Sequence, residues 1–181
     1  MSAERALRFT LNGRPVVIGV PLHWTLLQAL RDSLLAYEVK YGCGEGECGA
    51  CAVLLDDEPV NACLLLAVHA DGKSVTTARG LGLGGVQGGA SQPSRWVQSL
   101  APLQEAFVEY GAVQCGFCTP GMLVAAAHLL RTNPDPSRGQ IRAALAANLC
   151  RCTGYAKIVD AVAAAAAVLG AGGQGLGDEE A

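Results

Sequence analysis

Three cysteines fall in Tyr41-Gly42-Cys43-Gly44-Glu45-Gly46-Glu47-Cys48-Gly49-Ala50-Cys51, with four and then two residues between them, and Cys63 follows after eleven more. That spacing lets four thiolates enclose a [2Fe–2S] cluster. Two ferric ions, two sulfides and four thiolates carry a net charge of −2, and one-electron reduction makes it −3. A chain wrapped around such an anion must aim backbone N–H groups inward, which needs φ values that glycine tolerates. Gly42, Gly44, Gly46 and Gly49 are expected to supply that freedom.

A second set lies further on, in Cys115-Gly116-Phe117-Cys118 and Cys150-Arg151-Cys152. Thr119 and Thr153 follow these pairs and read as N-caps, so four thiolates are expected to gather at two helix N-termini. Free N–H groups and the helix dipole favour negative charge there. A zinc site of four cysteines competes with an iron–sulfur cluster at this set, because C-x2-C serves both, although C-x-C is unlike the usual paired zinc knuckle.

Eight cysteines in 181 residues also allow disulfides or plain buried thiols. Met1–Arg8 has neither an apolar signal core nor twin arginines, so a reducing cytoplasm is expected, where clustered cysteines mean metal more often than disulfides. The apolar run Ala156–Leu169 is too short for a membrane span. A net charge of −3 with no basic stripe argues against a nucleic-acid partner.

The elements that must position these sulfurs are legible in part. Arg5–Leu11 and Pro15–Val20 flank the hairpin turn Asn12-Gly13, and Val16, Ile18 and Val20 alternate toward one face. Thr25 with Gln28 predicts a capping box, for a helix ending near Leu35. Ala52–Leu55 and Val60–Cys63 are expected to pair around Asp56-Asp57-Glu58-Pro59, and Leu64–His69 with Lys73–Thr77 around Asp71-Gly72. A mixed sheet crossed by one helix is the β-grasp plan.

Gly80 to Ser91 is Gly-rich and nearly uncharged. Gly80-Leu81-Gly82-Leu83-Gly84-Gly85 matches G-x-G-x-x-G, but no βαβ unit surrounds it, so a flexible linker is the better reading. Helical periodicity then runs from Ser94 to Tyr110, with Pro102 a candidate kink. A second helix is expected from Thr119-Pro120 through Leu130, stopping at Asn133-Pro134. A third starts from the Ser137/Gln140 capping box and ends near Asn148, and a fourth spans Gly154 to about Leu169. The expected organisation is a ferredoxin-like [2Fe–2S] domain over 1–79, a linker over 80–93, a helical [2Fe–2S]-binding domain over 94–170 and a disordered tail over 171–181. The fold class is α+β, a β-grasp domain followed by a four-helix bundle.

Gln114-Cys115-Gly116-Phe117-Cys118-Thr119-Pro120-Gly121-Met122 and Asn148-Leu149-Cys150-Arg151-Cys152-Thr153-Gly154-Tyr155 resemble the signature of the molybdenum hydroxylases, the xanthine oxidase family. Tyr41–Cys51 with Cys63 resembles the same family's N-terminal ferredoxin domain, and the likeness runs from about Leu7 to Val168. The chain looks like the separate small iron–sulfur subunit of bacterial members. It departs from them in a longer, more Gly-rich linker and in Tyr110, which stands where a His is common.

The resemblance implies that Cys43, Cys48, Cys51 and Cys63 hold a cluster remote from molybdenum, and that Cys115, Cys118, Cys150 and Cys152 hold the proximal one. It further implies that Gln114 and Cys152 contact the molybdopterin cofactor, carried on a large subunit, while a medium subunit carries FAD. An amide that donates and accepts at once suits a pterin edge; capping its own loop is the alternative role for Gln114. His23, His69 and His128 read as packed or exposed side chains, Trp24 and Trp96 as core or interface anchors, Glu45 and Glu47 as solvated or partner-facing, and Arg151 as a counter-charge. Three functions follow as expectations: the electron-transfer subunit of such an enzyme, a free two-cluster ferredoxin-type carrier, or a zinc-bearing scaffold. Purines, N-heteroaromatics, aldehydes, carbon monoxide and aromatic thioesters are substrates within the family, chosen by the large subunit.

Overall fold

The computed structural model describes residues 4–82 and 101–173. Strands β1 (Glu4–Leu11) and β2 (Arg14–Pro21) form the expected hairpin, with Leu11 opposite Arg14. Its two turn residues, Asn12 and Gly13, both take positive φ, 52° and 77°, as a tight primed turn requires. The register sets Leu7 opposite Ile18, and both are buried on the face that carries Val20.

β3 (Ala52–Leu55) and β4 (Glu58–Asn61) pair across a tighter turn than expected. Asp56 and Asp57 alone make it, at φ 48° and 72°, so Glu58 and Pro59 already belong to β4. β5 (Ser74–Thr76) lies between β1, to which it is parallel, and β3, to which it is antiparallel. The sheet order is β2-β1-β5-β3-β4.

The expected pairing of Leu64–His69 with Lys73–Thr77 is overturned. Ala67–Ala70 is a 3-10 helix whose Ala67 and Ala70 are buried, and only Leu66 bridges, to Thr25. The edges of β1 and β3 take up β5 instead. Helix α1 (Leu26–Gln28) opens on the Thr25/Gln28 capping box and continues as a π turn, Ala29–Ser33. Leu26, Leu27 and Leu30 from it complete the core under the sheet.

Among the described residues the second half has four helices: α2 (Ala101–Glu109), α3 (Thr119–Thr132), α4 (Arg138–Leu145) and α5 (Ala156–Gly173). Pro102 lies within α2, next to its first described residue, Ala101. The residues expected to begin that helix at Ser94, and Trp96 among them, lie outside the described residues, as do the linker beyond Gly82 and the tail beyond 173. The Ser137/Gln140 capping box opens α4 as expected. Two other caps differ. Cys118, not Thr119, is the N-cap of α3, and α5 starts at Ala156 because Gly154 and Tyr155 both take positive φ.

The two halves are packed together. Leu54 of β3 joins Leu103, Phe107, Met122 and Ile158 in the helical core. Leu81, in a 3-10 turn over Gly80–Gly82, is fully buried in the same core, so the start of the expected linker is packed rather than free. Burying one such leucine stabilises by roughly 1.5–3 kcal/mol. Arg131 and His128 of α3 reach the carbonyl of Asp57 in the β3–β4 turn, and Arg131 also pairs with the Asp57 carboxylate at 3.2 Å. No helix among the described residues is long and apolar enough to cross a membrane.

Candidate metal centres

The eight cysteines are all free thiols, and they come in twos. The loop before β3 carries Cys43, Cys48 and Cys51, while Cys63 follows β4. Cys43 interacts with Cys48, and Cys51 with Cys63. In the helical half Cys118 meets Cys150, and Cys115 Sγ lies 3.6 Å from Cys152 Sγ. Two thiolates sharing a tetrahedral metal with bonds of about 2.3 Å stand about 3.8 Å apart, which that last pair matches.

Among the described residues no three His, Cys, Asp or Glu side chains converge on one point that a single ion could occupy. A zinc ion needs four sulfurs around one centre; a dinuclear cluster needs two pairs, one to each iron. The pairwise grouping fits the dinuclear group.

Backbone shape in the first loop follows from its glycines, with one change. Gly44 and Gly46 take φ of 77° and 81°. Gly42 does not need positive φ; it is required for space, since a Cβ there would stand 2.7 Å from Cys48 Sγ. Asn61 ties the loop to the sheet, donating from Nδ2 to the carbonyl of Gly46 at 2.9 Å.

Charge is distributed unevenly within the pairs. The N–H of Glu45, 3.4 Å from Cys43 Sγ, leads the contacts that lower that thiol to about 7. Burial, then the neighbouring Cys63, pushes Cys51 up to about 12. Burial and the adjacent Cys150 do the same to Cys118, also about 12. Burial opposes ionisation of Cys150 as well, yet the hydroxyl and N–H of Thr153 outweigh it and hold that thiol at about 7. Cys152 is raised by its contact with Cys115.

The expected sites at two helix N-termini are half correct. Cys118 caps α3, but Cys150 and Cys152 precede α5 by a separate turn. Tyr155, at φ 67°, closes that turn: its hydroxyl accepts from the Cys150 N–H at 2.8 Å and donates to the Asn148 carbonyl at 3.2 Å. Cys51 and Cys63 are buried, whereas Cys115 and Cys152 are exposed beside exposed Gln114. Val113, Phe117 and Leu149, close to those cysteines in sequence, are exposed apolar side chains. Glu45, Glu47 and Arg151 are exposed as well.

Sequence reasoning missed Asn148 and Thr153. Buried Asn148 donates from Nδ2 to the carbonyl of Gly49 at 3.1 Å, and the Leu149 N–H donates to the carbonyl of Cys48 at 3.0 Å. The two sulfur-bearing loops are therefore bonded directly to each other. A polar residue two positions before a cysteine was the available signal, and it has no meaning until the fold brings Gly49 alongside.

This geometry defines a two-centre iron–sulfur protein, and comparison with known proteins agrees. Residues 9–76 match a family described as a 2Fe-2S iron-sulfur cluster binding domain, and residues 86–163 one described as a [2Fe-2S] binding domain. The small subunit of nicotine 6-hydroxylase from Paenarthrobacter nicotinovorans is 43% identical over 84% of both chains. The small FeS subunit of nicotinate dehydrogenase from Eubacterium barkeri is 44% identical over 86% of this chain and 91% of its own. In structure, quinoline 2-oxidoreductase from Pseudomonas putida 86 superposes with a TM-score of 0.81 at 39% identity, covering 94% of this chain and 99% of that one. The chain belongs to the small iron–sulfur subunits of the molybdenum hydroxylases, the xanthine oxidase/dehydrogenase family. It is an electron-transfer subunit with two [2Fe–2S]-binding domains.

Proposed function

We propose that this chain carries electrons one at a time from a molybdopterin centre on a large subunit to FAD on a medium subunit, through two [2Fe–2S] clusters of its own. Cys115, Cys118, Cys150 and Cys152 hold the entry cluster; Cys43, Cys48, Cys51 and Cys63 hold the exit cluster. A molybdenum centre bound on its own subunit would supply hydroxylation of substrate with oxygen from water, and this chain's clusters would take the two released electrons singly.

The residues of this chain do the holding and the insulating. Cys51 and Cys63 are shielded from water. Exposed Cys115, Cys152 and Gln114, with exposed Val113, Phe117 and Leu149 near them in sequence, form the face that suits the large subunit. There the Gln114 amide and the Cys152 sulfur would hold the pterin edge. Eight reduced cysteines fit a cytoplasmic enzyme. Substrate is selected on the large subunit.

The observation that carries this reading is the Leu149 N–H bond to the Cys48 carbonyl, which joins the two sulfur sets without an intervening side chain. Purification under gentle conditions tests it. The chain is expected to elute with two larger polypeptides, one bearing molybdenum and one bearing FAD. Elution alone, as a monomer with both clusters intact, would mean a free carrier instead.

A further inference from the structure

Cys150 Sγ faces two donors from one residue: Thr153 Oγ1 at 3.1 Å and Thr153 N at 3.5 Å. The direction of the first bond follows from its surroundings. The Tyr155 N–H donates to Thr153 Oγ1 at 3.2 Å, which occupies a lone pair of that oxygen. A metal-bound thiolate has no proton to give. The hydroxyl proton therefore points at sulfur. Tyr155 in turn is fixed by its own hydroxyl, which bridges Cys150 N and Asn148 O. The hydroxyl of Thr153 is thus set in place by neighbours rather than left to rotate.

Adding an electron to a [2Fe–2S] cluster increases the negative charge on its sulfurs. A donor already aimed at a ligating sulfur holds the reduced form more tightly than the oxidised one, and so raises the reduction potential. We propose that Thr153 is a positioning residue that acts through Cys150 Sγ to raise the potential of the cluster in the helical domain. This rests on the assignment of Cys115, Cys118, Cys150 and Cys152 as one ligand set.

The test is a redox titration of the purified holoenzyme followed by electron paramagnetic resonance, for wild type, Thr153→Val, Thr153→Ala and Thr153→Ser. Valine keeps the shape and loses the hydroxyl; serine keeps the hydroxyl. At fixed poise the helical-domain signal of the Val and Ala variants should show about a three- to tenfold lower ratio of reduced to oxidised cluster, tenfold being 59 mV for one electron. The serine variant should titrate with wild type, and the ferredoxin-domain signal should not move in any of them. An unshifted valine variant, equal shifts in valine and serine, or loss of the signal in both Val and Ala would overturn the tuning role. Wild-type enzyme lacking two distinct signals would instead refute the ligand assignment.

Discussion

The backbone N–H of Leu149 donates to the carbonyl of Cys48 at 3.0 Å, so that neighbours of one sulfur set are bonded to members of the other. From Cys150 to Cys48 the path is backbone throughout, interrupted by that single hydrogen bond. The buried amide of Asn148, 3.1 Å from the Gly49 carbonyl, stands next to it and fixes the same junction.

Asn148→Ala should therefore loosen the joint between the halves. It removes one of two donors to the Gly49 carbonyl, the Ala52 N–H at 3.1 Å being the other, which costs about 0.5–1.5 kcal/mol. Anaerobic denaturant unfolding of the variant should show a lowered midpoint and an unfolding free energy smaller by that amount. Asn148→Asp should be worse, because it sets a carboxylate against the Gly49 carbonyl. A wild-type midpoint in both would show that the amide does not hold the junction.

Gly121 offers a purely spatial test. It lies within α3 and takes no positive φ, yet a Cβ there would collide with the Gly49 carbonyl and stand 3.0 Å from Asn148 Nδ2. Alanine gains roughly 0.5–1 kcal/mol of helix propensity, but backbone against backbone cannot yield without moving α3, a cost of about 1–3 kcal/mol. The clash wins, so Gly121→Ala should be destabilising overall, read by the same unfolding measurement. A stabilised variant would mean that α3 is free to shift.

How much of this was legible in the sequence depends on whether a signal was local. The Asn12-Gly13 hairpin and the Thr25/Gln28 and Ser137/Gln140 capping boxes were readable because each is complete within four residues. The sulfur spacings and their flanking motifs were equally readable and carried the family. The partners of β5 are hidden in the sequence because its neighbours, β1 and β3, are remote along the chain, whereas the adjacent apolar run Leu64–His69 has the pattern of a strand. A threonine before a helical pattern has the look of a helix cap, but Tyr155 at positive φ breaks the chain there and turns the Thr153 hydroxyl to sulfur instead. Leu81 looked like linker because nothing in a Gly-rich stretch reveals that one side chain will fill a remote core.

Filling the sites should release protons, and more of them in mild acid. Cys51 and Cys118, near 12, are protonated at neutral pH and must lose their protons to bind iron. Cys43 and Cys150, near 7, are largely ionised at pH 8 and largely protonated at pH 6. Reconstitution of the cluster-free chain at pH 6 should therefore release more protons per cluster than at pH 8, measured with an indicator in weak buffer and counted after subtracting the protons given up by the added sulfide, which itself titrates in this range. Equal release at both would contradict the division into low and high thiols.

Cys150→Ser should abolish one electron paramagnetic resonance signal and leave the other, since the two sets share no sulfur. Disappearance of both signals together would mean that the sets are not independent sites.

Iron and acid-labile sulfide analysis of the intact enzyme tests the central claim most directly. Two [2Fe–2S] clusters on eight cysteines require four irons and four sulfides per copy of this chain. About half of each, or stoichiometric zinc in place of the second set, would contradict it.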